Sequence, residues 1–297
     1  MDAWLPAGIL PPLVTPFAED GEVDLAALRR NLEGYAAAPL AGYVVLGTNG
    51  EFPLLSAGEK EAIVAAAVEA AGQRPVLAQV GAQGLRETVA LARRAAELGA
   101  AAVLAVTPHY YPKQMHDRAL IAFYMALAEE SPVPVLLYNI PQNTGVNISP
   151  EVVEACARNP RIVGIKDSSG NLGQIAEYLE RVPRGWGVLN GSSSLGVAAF
   201  QTGVPGAVLA AANVLPFEVC DLWALCRDGR WAEAATLEAR LRPAFRAISR
   251  LGVAGVKLGM DMLGFRGGLP RSPLLPAEPG ARDALADTLR AAGLIRF

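Results

Sequence analysis

Two residues near the middle of the chain carry the clearest chemical suggestion. Lys166 closes the short apolar run Ile162-Val163-Gly164-Ile165-Lys166, and Tyr138 sits near the end of the run that starts at Pro134. Apolar surroundings disfavour an ammonium, so a lysine held there more readily offers a neutral, nucleophilic amine. Imine formation with a ketone is the chemistry that uses such an amine. It also needs a group that gives and takes a proton as water leaves; Tyr138 can do this, with Thr48 passing the proton onward. Alternation along a strand puts Lys166 on one face with Ile162 and Gly164, and Asp167 on the other. The competing reading is a structural lysine ion-paired to a neighbour such as Asp167, and the opposite orientation of Asp167 counts against it.

Lysine is scarce here, and each must be asked why it is not arginine. Lys60 reads as part of a charged helix surface, Lys113 as a loop residue, and Lys257 as part of a late helix, Val253 to Leu263. None of these ends a strand. Other polar groups gather near Lys166 in the expected fold. The segment GTNGEFPLLSAGEK leaves a strand at Gly47 and passes through a glycine-flanked turn. Its free backbone N–H groups, with the Thr48 hydroxyl and the Asn49 amide, suit a carboxylate. GSSSLG, beginning at Gly191, is a second anion-binding candidate, although it lacks the lysine of a P-loop.

These residues need strands to hold them. Runs rich in Val, Ile and Leu recur between alanine-rich helical segments, the pattern of parallel βαβ units. They are Ile9 to Phe17, Gly42 to Gly47, Pro75 to Val80, Ala101 to Thr107, Pro134 to Asn139, Ile162 to Lys166, Trp186 to Asn190, and Ala207 to Ala211. Ser56 with Glu59 reads as a capping box, Ser149-Pro150 as a cap followed by proline at the first helical position, and Gly72 and Gly99 as helix-ending glycines. No GxGxxG follows the first run, and the spacing is even. The expected class is therefore α/β, a (β/α)₈ barrel over residues 1–215. A C-terminal helical extension, 216–297, of three further helices packs against it as one structural unit. Chemistry then belongs at the C-terminal ends of the strands, where Thr15, Thr48, Asn49, Thr107 to Tyr111, Tyr138 to Thr144, Lys166 to Ser169, Asn190 to Ser194 and Asn213 collect.

Composition narrows the function classes. The chain has 297 residues, a net charge of −3 and 19% charged residues, which gives no basic face for nucleic acid or anionic lipid. The apolar start MDAWLPAGILPPLVTPF lacks a cationic beginning and is broken by prolines, including Pro6, which argues against a signal peptide. No apolar stretch is long enough for a membrane span, so a cytoplasmic protein is expected. Cys156, Cys220 and Cys226 read as reduced core cysteines. With only His109 and His116, a multi-histidine metal cage is excluded, and no metal site is expected.

Taken in order, LVTPF (13–17), GTNGE (47–51), VTPHYY (106–111), YNIPQNTG (138–145) and GIKDSSG (164–170) are similar to the class I aldolases related to dihydrodipicolinate synthase and N-acetylneuraminate lyase. The resemblance covers nearly the whole chain. It implies that Lys166 forms the imine, that Tyr138 is the acid/base tyrosine, and that Thr48 relays protons. It also implies that Tyr110 reaches into a neighbouring subunit's site, as a homodimer or homotetramer requires. Dihydrodipicolinate synthases usually carry two threonines where this chain has Thr48-Asn49. They usually carry an arginine that binds the aldehyde's carboxylate where this chain has Asn143. GTNGEFPLL, the PxNTG pattern, KDSSG and AANVL (211–215) instead resemble the 4-hydroxy-2-oxoglutarate aldolase branch. That likeness implies cleavage to pyruvate and glyoxylate, with Asn49 and Ser168 contacting the second carboxylate or the hydroxyl, and no cofactor. The alternatives are condensation of pyruvate with aspartate semialdehyde, and a non-catalytic 2-oxo-acid-binding protein.

Overall fold

The computed structural model describes residues 7–295; the part of the apolar start before Ala7, including Pro6, lies outside the described residues. Eight parallel strands form one sheet: β1 (Gly8–Leu10), β2 (Tyr43–Val45), β3 (Val76–Gln79), β4 (Ala102–Val106), β5 (Val135–Asn139), β6 (Ile162–Asp167), β7 (Gly187–Asn190) and β8 (Gly206–Val208). Their order, β1-β8-β7-β6-β5-β4-β3-β2, brings β1 and β2 to the two edges. These edges meet. Leu13 N–H donates to Val44 O at 2.8 Å, Val44 N–H to Pro11 O at 3.1 Å, and Ala41 N–H to Ile9 O at 2.9 Å. Pro11 and Pro12 have no N–H to give, so the closing seam is sparse where the run Ile9 to Phe17 had been expected to continue as strand. The eighth strand is also shorter than its run, because Ala210–Asn213 coils into a 3₁₀ turn.

The intervening helices are α1 (Leu25–Tyr35), α2 (Ala57–Ala70), α3 (Leu85–Glu97), α4 (Asp117–Glu130), the single turn α5 (Pro141–Thr144), α6 (Pro150–Cys156), α7 (Leu172–Arg181) and α8 (Gly196–Gln201). The Ser56–Glu59 capping box forms at the start of α2, and Ser149 caps α6 ahead of Pro150. Gly72 and Gly99 take positive φ just past α2 and α3. Beyond the barrel come α9 (Pro216–Arg227), α10 (Trp231–Arg250), α11 (Gly252–Met262) and α12 (Ala281–Ala291), four helices among the described residues where three were expected. No described helix is long and apolar enough to cross a membrane. All three cysteines are free and buried. Burial pushes the Cys156 and Cys220 thiols up to about 12.

Apolar side chains separate into two layers. Leu10, Val44, Leu77, Leu104, Leu136, Tyr138, Val163, Leu189 and Val208 fill the barrel interior, while Ile9, Val45, Ala78, Val103, Leu137, Ile162, Ile165 and Val188 pack against the helices. Strict alternation would have put Ile162 inside with Lys166. A register shift corrects this: Val135 pairs with Ile162 but Leu136 pairs with Gly164, so Val163 is the extra residue and Ile162 turns outward. Gly164 is required at this seam, since a Cβ there would lie 2.4 Å from the Gly187 carbonyl oxygen.

Candidate active site

The β5–β6 ladder pairs Tyr138 with Lys166 at the C-terminal end of both strands, after the bulge has restored inward orientation. Lys166 is 3% exposed, and its Nζ lies 4.0 Å from the centroid of the Tyr138 ring. The Tyr138 hydroxyl lies 3.1 Å from Thr48 Oγ1. An amine and a phenol from adjacent strand ends and a hydroxyl from the turn after β2 thus form one connected group. Asp167 points the other way. Asn139 Nδ2 and Gln174 Nε2 donate to its Oδ2 at 2.8 and 3.0 Å, and Ser169 donates to its Oδ1 through both N–H and hydroxyl. That carboxylate is saturated by neutral donors, which removes the ion-paired alternative for Lys166.

Thr48 sits on a turn under conformational tension. Leu46 (φ 62°) and Glu51 (φ 57°), the non-glycine residues with left-handed backbone among those described, bracket Gly47 to Gly50. Such geometry costs of order 1–2 kcal/mol per residue and persists only where the surroundings enforce it. Part of the enforcement comes from Thr15, whose hydroxyl donates to Gly50 O at 2.7 Å. Asn213, another strand-end residue, also serves structure: its Nδ2 donates to Pro12 O at 2.9 Å.

A cavity of about 510 Å³ opens over this group, lined by Gly47, Thr48, Tyr138 and Asn143 among others. Asn143 is exposed at its mouth. Asn49, Ser168, Gly191 and Lys166 are not among the lining residues; Lys166 lies against the ring of Tyr138, which does line the cavity. Ser168 and Gly191 form a separate pair: Ser168 Oγ donates to Gly191 O at 3.4 Å, and a Cβ at Gly191 would lie 2.1 Å from that hydroxyl. Tyr110 stands outside the group, 73% exposed, edge-to-face with Tyr111 at 4.9 Å. Gln83 fixes that segment by accepting the His109 and Tyr110 N–H groups on its Oε1, at 2.9 and 2.8 Å.

Several cavity residues carried no sequence signal. Lys60, expected on a charged helix surface, places its ammonium 4.0 Å from the Phe52 ring centroid and lines the cavity, and burial pushes its pKa down. Behind the cavity, Lys257 is fully buried against the lining residue Glu51. Gln79 at the end of β3, Gln83 in the loop after it and Glu87 in the first turn of α3 also line the cavity. Among the described residues no group of three His, Cys, Asp or Glu converges as a metal site would require.

Fold and site define a class I aldolase-type lyase, in which a barrel lysine forms a Schiff base with a 2-oxo acid. A profile of the dihydrodipicolinate synthetase family matches residues 5–292, and the chain belongs to that family. It is 34% identical over 284 residues to the 4-hydroxy-tetrahydrodipicolinate synthase of Methanothrix thermoacetophila, covering 95% of each chain. The crystal structure of dihydrodipicolinate synthase from Aquifex aeolicus superposes with a TM-score of 0.91 at 32% identity, covering 97% of this chain and 98% of that one. YagE, a prophage protein of the same family from Escherichia coli K12 solved in complex with pyruvate, gives a TM-score of 0.91 at 27% identity, covering 97% and 99%.

Proposed function

We propose that this enzyme cleaves 4-hydroxy-2-oxoglutarate to pyruvate and glyoxylate through an imine on Lys166. The amine adds to the C2 carbonyl, and the carbinolamine loses water as Tyr138 delivers a proton to the departing oxygen. Removal of the proton from the C4 hydroxyl then breaks the C3–C4 bond. Its electron pair moves to the iminium, leaving an enamine and releasing glyoxylate. Protonation at C3 and hydrolysis return pyruvate and the free amine. Thr48, whose hydroxyl lies 3.1 Å from that of Tyr138, relays the proton in these transfers, and no step needs a metal or an organic cofactor.

The observation that carries the imine reading is the contact chain Lys166–Tyr138–Thr48, with gaps of 4.0 Å to the ring centroid and 3.1 Å between hydroxyls. The acceptor reading rests on the cavity mouth, where Asn143 supplies a neutral amide and Lys60 is the one cation among the described lining residues, with no described arginine beside it. Gly47 lines the cavity and offers a backbone contact to the bound acid; the assignment of Asn49 and Ser168 to the second carboxylate or the C4 hydroxyl, and of Gly191 to the acid, rests on the family resemblance alone, since none of the three lines the cavity. The names of the relatives favour a second reading, condensation of pyruvate with aspartate semialdehyde. The exposed Tyr110 supports a homodimer or homotetramer in which it enters a neighbour's site.

An acceptor panel tests the assignment. Purified enzyme should release pyruvate from 4-hydroxy-2-oxoglutarate and, in the reverse direction, condense pyruvate with glyoxylate well ahead of aspartate semialdehyde. The opposite ranking would select the second reading.

A further inference from the structure

The turn that carries Thr48 is held from behind by a buried ion pair between the barrel and the C-terminal helices. Glu51 Oε1 lies 2.6 Å from Lys257 Nζ, and both side chains are fully buried. Glu51 Oε2 accepts the Arg271 N–H at 2.8 Å. Lys257 also donates to Leu269 O at 2.9 Å and sits 4.4 Å from the centroid of the Phe17 ring. Glu51 N–H donates in turn to Thr48 O at 3.2 Å, so the carboxylate and the relay hydroxyl belong to one rigid turn. Glu51 and Thr48 line the same cavity, together with Val253 of α11 and Leu274.

Stability alone does not account for this arrangement. Burying two charges costs several kcal/mol per ion, and apolar replacements of such pairs are often neutral or stabilising. What the pair does supply is a single permitted geometry. Glu51 holds a left-handed backbone that a non-glycine residue avoids, and three separate partners of its carboxylate and backbone keep it there. We propose that Glu51 and Lys257 are positioning residues, whose ion pair locks the turn Gly47 to Glu51 so that Thr48 Oγ1 stays within hydrogen-bond reach of the Tyr138 hydroxyl. The C-terminal extension thereby takes part in the reaction without touching substrate. This inference rests on the Thr48–Tyr138 relay proposed above.

The test uses exchange of the pyruvate methyl protons with deuterium oxide, followed by NMR. That reaction needs the imine and the proton relay and is independent of the acceptor. Lys257→Met, Glu51→Gln and Thr48→Val are measured singly, and the first two again in the Thr48→Val background, with thermal unfolding recorded for each. Lys257→Met should lower the saturated exchange rate about 10- to 100-fold while changing half-saturation by pyruvate less than about 3-fold, as a misplaced relay group does. In the Thr48→Val background the same change should cost no more than about 2-fold, the non-additivity expected of residues acting through one group. Should Lys257→Met not fold, the near-isosteric Glu51→Gln gives the same reading, with a loss of about 5-fold or more that vanishes in the Thr48→Val background. Folded variants with undiminished exchange, or losses that multiply with that of Thr48→Val, overturn the positioning role. Undiminished exchange in Thr48→Val itself overturns the relay, and this inference with it.

Discussion

Tyr138 and Lys166 are Cα partners across the β5–β6 ladder, so their side chains leave adjacent strands at the same height on the inner face. The backbone hydrogen bonds of two central strands therefore fix the phenol against the amine, with 4.0 Å from Nζ to ring centroid. Strand spacing is nearly invariant, which makes a ladder pair a more exact mount than two loop residues. Thr48 comes instead from a turn and must be held by other means.

Removing only the phenol oxygen should separate the proton shuttle from packing. Tyr138→Phe keeps the ring over Lys166 and loses the partner of Thr48 Oγ1. We expect kcat to fall about 10²- to 10⁴-fold, the range of a general acid–base group, with KM for the 2-oxo acid changed far less. Steady-state kinetics check this, and a variant retaining a tenth of native kcat would remove Tyr138 from the mechanism.

Asn143 at the cavity mouth should set acceptor choice. Asn143→Arg introduces a planar cation able to take an acceptor carboxylate with two hydrogen bonds. The ratio of kcat/KM for aspartate semialdehyde over glyoxylate should rise at least about 10-fold. An unchanged ratio places acceptor recognition elsewhere.

Tyr110 projects away from its own chain, 73% exposed. If it completes a partner's site, Tyr110→Ala and Lys166→Ala should each be strongly impaired alone. Dissociated, mixed equally and reassembled, they should recover about one quarter of native activity, because half the dimers are hybrids with one intact site of two. Mixing that restores nothing would confine Tyr110 to its own subunit or to no site.

Acid sensitivity should trace in part to Glu59. The hydrogen bond from Arg271 holds its carboxyl down, from about 4.5 to about 2. Because the folded value lies below the unfolded one, the stabilisation is complete above about pH 4.5 and is lost as pH falls towards about 2. It amounts to roughly 1–3 kcal/mol. Urea midpoints measured from neutral pH down to about pH 3 should fall more steeply for the native chain than for Glu59→Gln. Parallel curves would contradict this.

The barrel was legible because βαβ units repeat a pattern that survives in composition: every apolar run contains a strand, and the caps at Ser56 and Ser149 formed as read. What failed was local and had definite causes. Pro11 and Pro12 thinned the closing seam, and a bulge at Val163 turned Ile162 outward without disturbing Lys166. The proximity of Lys166, Tyr138 and Thr48 was readable because all three lie at strand ends, which a barrel gathers on one rim. Lys257 was not readable. Its helix offers an ordinary-looking sequence, and its partner Glu51 lies almost at the other end of the chain, so only packing of α11 against the β2 turn reveals the pair. Lys60 failed similarly, since a helix surface facing a cavity has the same pattern as one facing water.

The proposed chemistry depends on a covalent bond between Lys166 and a 2-oxo acid. Incubation of the folded enzyme with pyruvate and borohydride, followed by peptide mass mapping, tests it directly. We expect a single reduced pyruvate adduct on Lys166, absent without pyruvate and absent in Lys166→Ala. An unmodified Lys166 in intact, pyruvate-saturated protein would contradict it.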